Sequence, residues 1–185
     1  MGIIGDSLER ADQEAFTRPL PKSAGAQMRY LVKQLKGTRA AAELLSVSQR
    51  TVERYVKNQI RRPRADLAQR MADAVRERWQ PQVRKRRQQQ AATTGGITVE
   101  TRARFGYTAP IGTTDDGRFR RLTVHLPPAY ARRLFDARDS GASDQQMRGV
   151  IAEGLKEIYF QDGGSRAMGL SDVEINDIDY LDLAY

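Results

Sequence analysis

Residues 38–58 read TRAAAELLSVSQRTVERYVKN, and this stretch predicts two short helices joined by a tight turn. Thr38 and Ser48 are hydroxyl residues of the kind that cap helix N-termini, one for each helix. Small and apolar side chains follow each cap at helical spacing, so the two helices can pack closely together. These side chains are Ala41, Ala42 and Leu45 in the first helix, and Val52 with Tyr55 or Val56 in the second. The letters SVS between them make the turn.

This pair of helices resembles the helix-turn-helix of repressor-type DNA-binding modules, through the pattern A-A-x-x-x-x-V-S-x-x-T-V-x-R. The resemblance implies that Gln49, Arg50 and Arg54 face the major groove, where glutamine can pair with adenine and arginine with guanine. Basic residues around Pro63 suit contacts to phosphate, which add affinity without sequence discrimination. The predicted DNA-contacting residues here are Ser48, Gln49, Arg50, Thr51, Arg54, Lys57, Arg61, Arg62 and Arg64. The alternative is a solvated helical hairpin that contacts no DNA.

Longer helices are predicted on both sides of this pair. The preceding segment SAGAQMRYLVKQLKG ends at Gly37, which is a good helix stop, and Pro81 ends or kinks the following helix. Their apolar stripes are Met28, Leu31, Val32 and Leu35 before the pair, and Leu67, Met71, Val75 and Trp79 after it. The second stripe is either core or a dimer seam. We therefore expect a helical DNA-binding domain over residues 1–90, followed by a linker at 91–96.

The charge of the chain is unevenly distributed along its 185 residues, which carry a net charge of +8. Residues 1–92 contain 20 Lys and Arg against nine Asp and Glu, and residues 93–161 contain ten against eight. Residues 162–185 contain one Lys or Arg against six Asp and Glu. A basic excess of this size at the N-terminal side favours a polyanionic partner such as nucleic acid.

Composition excludes several classes of function. The chain has no cysteine and a single histidine, His125, which rules out disulfides and thiolate metal sites and disfavours a histidine-based metal site or catalytic triad. No apolar run approaches the roughly 20 residues that span a bilayer, and the N-terminus does not have the pattern of a signal peptide. We expect a cytoplasmic protein with no membrane association, no resident metal and no self-contained hydrolytic activity.

The central segment 97–161 predicts two strands followed by two helices. Ile97, Val99, Thr101, Ala103 and Phe105 share one face of the first strand, and Phe119 to Leu126 alternate again in the second. The two strands are separated by a loop, residues 106–118, whose tip contains TTDD. Ser143 and Gln146 have the spacing of a capping box at the start of the last helix. The side chains predicted to face inward are Tyr130, Leu134 and Phe135 in one helix, and Met147, Ile151, Leu155 and Ile158 in the other. The expected fold class is mainly α with a small β element.

Residues 121–160 resemble a ribbon-helix-helix unit, through the strand LTVHL running directly into two helices. The resemblance implies that the strand pairs with its twin from a second chain and that Arg121, Thr123 and His125 enter the major groove. Leu122, Val124 and Leu126 then face inward. The strand can also pair with residues 97–105, which would give a larger sheet. The alternative is a small α+β core without DNA contact, in which His125 is a plain surface residue.

The C-terminal residues 162–185 alternate acidic and apolar side chains, in SDVEINDIDYLDLAY. Segments of this composition often stay disordered until they dock on a partner. We expect an acidic tail that is either a docking segment or a solvated end.

The chain as a whole resembles the Tpg-type telomere terminal proteins of linear Streptomyces chromosomes and plasmids. The resemblance rests on the opening MGIIGDSLERADQEAFTRPLPKSAGAQMRYLVK, the helix-turn-helix and the TTDD loop. It implies a protein that binds telomeric DNA, as a single-stranded overhang or a duplex, at the ends of replicons in the nucleoid. It also implies a telomere-associated protein and a DNA polymerase as partners, and we expect a homodimer. In such proteins a threonine hydroxyl replaces the primer 3′-OH and stays linked to the DNA 5′ end.

The threonine that matches this acceptor is Thr114, by the resemblance. Asp115 and Asp116 either assist the transfer or only form the turn, and Thr113, Thr108 and Tyr107 are alternative acceptors. The protein would have no cofactor of its own, and Mg²⁺ would come with the polymerase. The protein would be a primer rather than an enzyme. The main rival is a helix-turn-helix regulator or partition protein that binds duplex DNA non-covalently; an autonomous nucleotidyltransferase lacks an acidic triad and a phosphate loop.

Overall fold

The structure is a computed structural model that describes residues 2–108 and 114–185, with the side chains of residues 107–118 outside the description. The helices are α1 (Ile3–Glu14), α2 (Ala24–Gln34), α3 (Thr38–Leu44), α4 (Gln49–Val56), α5 (Ala65–Arg78), α6 (Pro81–Gln90), α7 (Pro128–Asp139) and α8 (Asp144–Leu155). The strands are β1 (Ile97–Thr108), β2 (Thr114–Leu126) and β3 (Asp172–Ala184). The predicted fold class, mainly α with a small β element, is confirmed.

The chain divides into two compact units. Phe16–Gln82 forms a helical unit, and Met1–Ala15 together with Val83–Tyr185 forms a unit built on the sheet. The predicted helical domain 1–90 therefore differs from the structure at both ends. The first helix and residues 83–90 belong to the sheet unit rather than to the unit that contains the helix-turn-helix.

The helical unit buries a single apolar core among α2, α3, α4 and α5. Ser23 and Ser48 cap α2 and α4 by accepting hydrogen bonds from the backbone N–H groups of Ala26 and Thr51. The predicted helix pair 38–58 is confirmed in its two helices and its turn. The predicted cap at Thr38 is wrong, because Thr38 is the first residue of α3, Gly37 is the N-cap residue, and no side chain caps that helix. Most of the predicted inward side chains are buried; they are Met28, Leu31, Ala41, Ala42, Leu45, Val52, Tyr55, Leu67, Met71 and Val75. The others are half-buried against the same core; they are Val32, Leu35, Val56 and Trp79.

The sheet unit contains an antiparallel sheet with the strand order β2-β1-β3, so β1 is the central strand. β1 pairs with β2 from Ile97 opposite Leu126 to Phe105 opposite Arg118. The predicted inward faces of both strands are confirmed, because every second side chain is buried. These side chains are Ile97, Val99, Thr101, Ala103 and Phe105 in β1, and Leu122, Val124 and Leu126 in β2. α7 and α8 supply further apolar side chains of this core.

The N-terminal helix α1 packs on the same core. Ile4 and Leu8 are fully buried there, and Ser7 Oγ accepts a hydrogen bond of 2.8 Å from the backbone N–H of Leu183 in β3. The opening residues therefore belong to the sheet unit. They cover one end of the sheet and satisfy a backbone donor of its outer strand.

The structure differs from the predicted linker at residues 91–96. α6 continues to Gln90, and a π-helical turn, Ala91–Gly95, leads directly into β1. Ala91 is buried in the core of the sheet unit. The predicted linker 91–96 is therefore an ordered connection, which a polar composition without periodicity did not reveal.

The expected acidic tail is the third strand of the sheet. β3 pairs antiparallel with β1, from Thr98 opposite Ala184 to Thr108 opposite Asp172. Val173, Ile175, Leu181 and Leu183 are buried on the core side. The apolar half of the alternation thus completes the core, which is why the segment is folded rather than free.

The predicted loop 106–118 is also shorter than expected. Gly106–Thr108 belong to β1 and Thr114–Arg118 to β2, with Tyr107 paired to Thr114. The remaining residues of the loop, 109–113, lie outside the described residues. No helix in the described part of the chain is both long enough and apolar enough to cross a membrane.

Candidate nucleic-acid interface and acceptor strand

The exposed face of α4 presents cationic side chains that make no ion pair. Arg50 and Arg54 lie one turn apart and are exposed, and Lys57 follows at the end of the helix. No described acidic residue lies within ion-pair distance of any of the three. A guanidinium that is exposed and unpaired keeps its five donors free for phosphate or guanine.

Three other predicted contacts of this helix already have partners within the protein. Ser48 Oγ caps α4 and lies 2.9 Å from the Thr51 hydroxyl. The Gln49 side-chain amide donates to Thr38 Oγ1 at 3.1 Å and to Glu53 Oε1 at 3.0 Å. Ser48 and Thr51 therefore have a capping role, and Gln49 has to give up two hydrogen bonds to read a base.

The loop between α4 and α5 adds three exposed arginines, Arg61, Arg62 and Arg64, which also lack ion pairs to described residues. Burial raises the pKa of the Tyr55 hydroxyl, and the nearby charges of Arg54 and Arg64 oppose that rise. Both positive charges therefore act on the Tyr55 hydroxyl. The helical unit as a whole has 15 Lys and Arg against five Asp and Glu. These features make it strongly attractive to a polyanion.

The predicted strand contacts on β2 have a different environment. Arg121 is exposed, but its guanidinium donates to Glu100 Oε1 on β1 at 2.8 Å. The hydrogen bond from Arg121 and a second one from Tyr180 lower the pKa of the Glu100 carboxyl. Thr123 is exposed and lies opposite Glu100 in the register. This part of the strand presents a paired, nearly neutral surface rather than free positive charge.

The same charge pairing continues across the outer face of the sheet. Arg102 pairs with Asp179 at 2.7 Å and Arg104 with Asp177 at 3.4 Å. The register between β1 and β3 slips at these two aspartates, so each is an extra residue in β3. Extra residues of this kind redirect side chains. The acidic residues of β3 thereby neutralise the arginines of β1, which a reading of 162–185 as a separate tail did not anticipate.

The residue that matches the acceptor threonine is the first residue of β2. Thr114 pairs with Tyr107, and Tyr107 pairs in turn with Val173 on the other side of β1. Asp115 and Asp116 follow Thr114 within β2. The side chains of these residues lie outside the description, and the alternative acceptor Thr113 lies outside it entirely. Thr114 is thus placed at the end of the sheet, on an edge strand.

The predicted site residues are divided between the two units. The α4 residues and Arg61, Arg62 and Arg64 belong to the helical unit, whereas Arg121, Thr123 and Thr114 belong to the sheet unit. No group of acidic and histidine side chains with the arrangement of a metal site occurs among the described residues.

No protein-family model, curated protein or solved structure matches this chain.

Proposed function

We propose that this protein is a terminal protein of linear replicons, which binds telomeric DNA and primes DNA synthesis on the hydroxyl of Thr114. The helical unit binds the DNA and the sheet unit presents the acceptor. The observation that carries the DNA-binding half is the set of unpaired arginines on and after α4, in a unit with a threefold excess of basic over acidic residues. The acceptor half is supported by the sequence resemblance and by the position of Thr114 at a strand end.

The proposed reaction is a single nucleotidyl transfer. Thr114 Oγ attacks the α-phosphorus of a deoxynucleoside triphosphate and forms a phosphodiester bond, while the bond to the β-phosphate breaks and pyrophosphate leaves. The hydroxyl proton passes to solvent. An acceptor at the end of an edge strand can enter the active site of another protein without unfolding its own core.

The partner polymerase supplies the catalysis. Its Mg²⁺ ions stabilise the charge that develops on the phosphate and on the attacking oxygen. A telomere-associated protein would bring the polymerase and the chain to the same DNA end. The protein would then act in the cytoplasm, at replicon ends in the nucleoid. The next nucleotide would be added to the 3′-OH of the first one, whose 5′ phosphate would stay covalently bound to Thr114.

A homodimer is part of the proposal, because β2 is an edge strand. Among the described residues it pairs only with β1, so its outer backbone groups are available to a second chain. Sedimentation equilibrium of the full chain measures this directly. A chain that remains monomeric at high concentration would remove the dimer from the proposal.

The deciding experiment maps the attachment site. The full chain is incubated with the cognate polymerase, the telomere-associated protein, template and a labelled nucleotide, and the labelled peptide is then sequenced by mass spectrometry. Thr114→Ala should abolish labelling and Thr114→Ser should retain part of it, with DNA binding unchanged in both. Asp115→Asn and Asp116→Asn should slow labelling if the carboxylates assist, and leave its rate unchanged if they only shape the strand end. Label on a peptide without Thr114 rules out this acceptor.

One observation favours a second candidate, a regulator or partition protein that binds duplex DNA without covalent change. The exposed residues of α4 are sufficient for duplex recognition by themselves. Protein isolated from its host decides between the two, because only a terminal protein carries nucleotides after nuclease treatment. Unmodified protein that still binds duplex DNA in a sequence-dependent way would favour the regulator.

A further inference from the structure

The outer edge of β3 and the helix α8 enclose a groove of about 790 Å³ in the sheet unit. One wall is the start of β3, residues 171–176, and the other is the face of α8 that carries Arg148, Gly149 and Ala152. The β3 edge pairs with no other strand among the described residues. The groove therefore combines an unpaired strand edge with a facing helix.

The two ends of the groove are closed by cationic side chains that bind backbone carbonyls. Arg148 Nη1 donates to the carbonyl of Ile175 at 3.3 Å, and Lys156 Nζ donates to the carbonyl of Ser171 at 3.2 Å. Arg148 and Lys156 are eight positions apart, about 12 Å along a helix. Ser171 and Ile175 are four positions apart, about 13 Å along a strand. The two contacts have similar spacings on the helix and on the strand, so together they keep the helix and the strand side by side along the groove.

These two contacts also show which backbone groups face the groove. Because backbone groups alternate between the two edges of an antiparallel strand, the N–H and C=O of Val173 face the same way as the carbonyls of Ser171 and Ile175. Val173 makes no hydrogen bond on that side with any described residue. A donor and an acceptor of Val173 therefore remain available between the two cationic contacts, and an added strand can pair with them there.

The helix wall leaves room for a side chain of the added strand. Gly149 has no side chain, and a Cβ built on it meets no atom within 4 Å. Ala152 lies on the same wall. A glycine in a helix interior costs stability relative to alanine, so its presence here favours a groove that is kept open for an occupant.

The strand wall is acidic, and the two cations of the groove, Arg148 and Lys156, already bind backbone carbonyls. Asp172 and Glu174 are exposed on the strand, and neither forms an ion pair with a described residue. The later carboxylates of β3 are different, because Asp177, Asp179 and Asp182 all pair with arginines. An added strand would place alternate side chains beside Asp172 and Glu174, where lysine or arginine is favoured over an acidic residue.

We propose that the β3–α8 groove binds an extended, basic peptide segment of a partner protein by strand addition. The peptide pairs its backbone with Val173, places an apolar side chain over Gly149 and places basic side chains beside Asp172 and Glu174. This site does not depend on the proposed priming activity or on DNA binding. It gives the sheet unit a protein-docking surface of its own.

A displayed library of random heptapeptides, selected on the full chain, tests the proposal. The expected result is enrichment of peptides that alternate basic and apolar residues, with slowed hydrogen exchange at the Val173 amide when a selected peptide is added. Gly149→Leu fills the groove and should abolish binding, whereas Gly149→Ala should retain it. Asp172→Asn and Glu174→Gln should each weaken binding about two- to fivefold. Glu14→Gln, at an exposed carboxylate of α1 outside the groove, is the matched control and should have no effect.

Three outcomes would overturn the proposal. The first is an absence of enriched peptides, or enrichment of acidic ones. The second is binding that Gly149→Leu does not change while circular dichroism shows a folded variant, or binding without protection of Val173. The third is self-association of the full chain that Gly149→Leu abolishes, because the occupant would then be a second copy of the chain.

Discussion

Asp12 and Arg138 lie 126 positions apart in the sequence, and the Asp12 carboxylate accepts a hydrogen bond of 3.2 Å from the Arg138 guanidinium. The Asp12 side chain is fully buried, and it also accepts hydrogen bonds from Gln88 at 2.8 Å and from the Tyr185 hydroxyl. Burial raises the pKa of Tyr185, and the charge of Asp12 raises it further, so the hydroxyl remains a donor. One carboxylate thus connects α1, α6, α7 and the C-terminal residue.

Removing this carboxylate should be costly. Asp12→Ala removes the buried partner of Arg138 and Arg84, which keep only Asp139 and Glu9 as counterions. Breaking a fully buried ion pair costs about 3–5 kcal/mol in the free energy of unfolding, and we expect a loss toward the lower end of that range. The matched control is Asp139→Ala, because Asp139 pairs with the same Arg138 but is largely exposed. That variant should cost less than about 1 kcal/mol. Urea denaturation of both variants measures the difference, and equal effects would contradict the structural role of the buried pair.

Deleting residues 170–185 should unfold the sheet unit. The deletion removes four buried side chains, Val173, Ile175, Leu181 and Leu183, each worth about 1.5–3 kcal/mol. Their sum is comparable to the whole stability of an ordinary domain. Circular dichroism should show loss of the sheet, while the helices of Phe16–Gln82 persist.

The control for this deletion keeps the strand and changes only its charge. The double variant Asp177→Asn and Asp179→Asn removes two exposed ion pairs and should cost less than about 1 kcal/mol for each. A truncated chain that keeps its sheet signal would show that β3 is the dispensable tail that the composition of residues 162–185 had indicated.

The helix-turn-helix could be predicted from the sequence because its signals are local. The Ser48 cap, a short turn and apolar residues at helical spacing all lie within 38–58. The third strand could not be predicted in the same way. Its alternation is interrupted where Asp177 and Asp179 are inserted, and Asp177 has a left-handed φ of 39°. The first insertion shifts the alternation by one residue and the second shifts it back, so that Leu181 faces inward again. The sequence alone does not show these shifts, because they are defined by the pairing with β1.

The same distinction between local and tertiary signals applies to the predicted DNA-contacting residues. Sequence places Gln49 and Arg121 correctly on exposed faces, but it does not reveal that Thr38, Glu53 and Glu100 already bind them. Those partners are set by tertiary packing and by strand register. Arg50 and Arg54 were predicted on the same grounds as Gln49, and they are the residues that have no such partner among the described residues.

Ser48→Ala should lower stability rather than weaken DNA recognition directly. The Ser48 hydroxyl caps α4, and removing a cap of this kind costs about 1 kcal/mol. Ser48→Asp should retain the cap, since aspartate is also a good N-cap residue. The free energy of unfolding in urea should therefore fall in the first variant and not in the second. A Ser48→Ala chain of unchanged stability with reduced base preference would instead support a direct contact to DNA.

Arg50→Ala should weaken DNA recognition without lowering stability. Arg50 is exposed near the N-terminus of α4 and makes no ion pair with a described residue, so its loss should leave the free energy of unfolding unchanged. If its guanidinium contacts guanine in two places, binding to the preferred duplex should weaken by about 1–3 kcal/mol, and the preference at one base pair should relax. Arg39→Ala is the matched control, because Arg39 is equally basic and exposed but pairs with Glu43 at 3.1 Å. Fluorescence anisotropy against a panel of single-base-pair variants measures both effects. The control should change affinity little and base preference not at all, and an Arg50→Ala chain with the preference profile of the parent would remove α4 as the recognition helix.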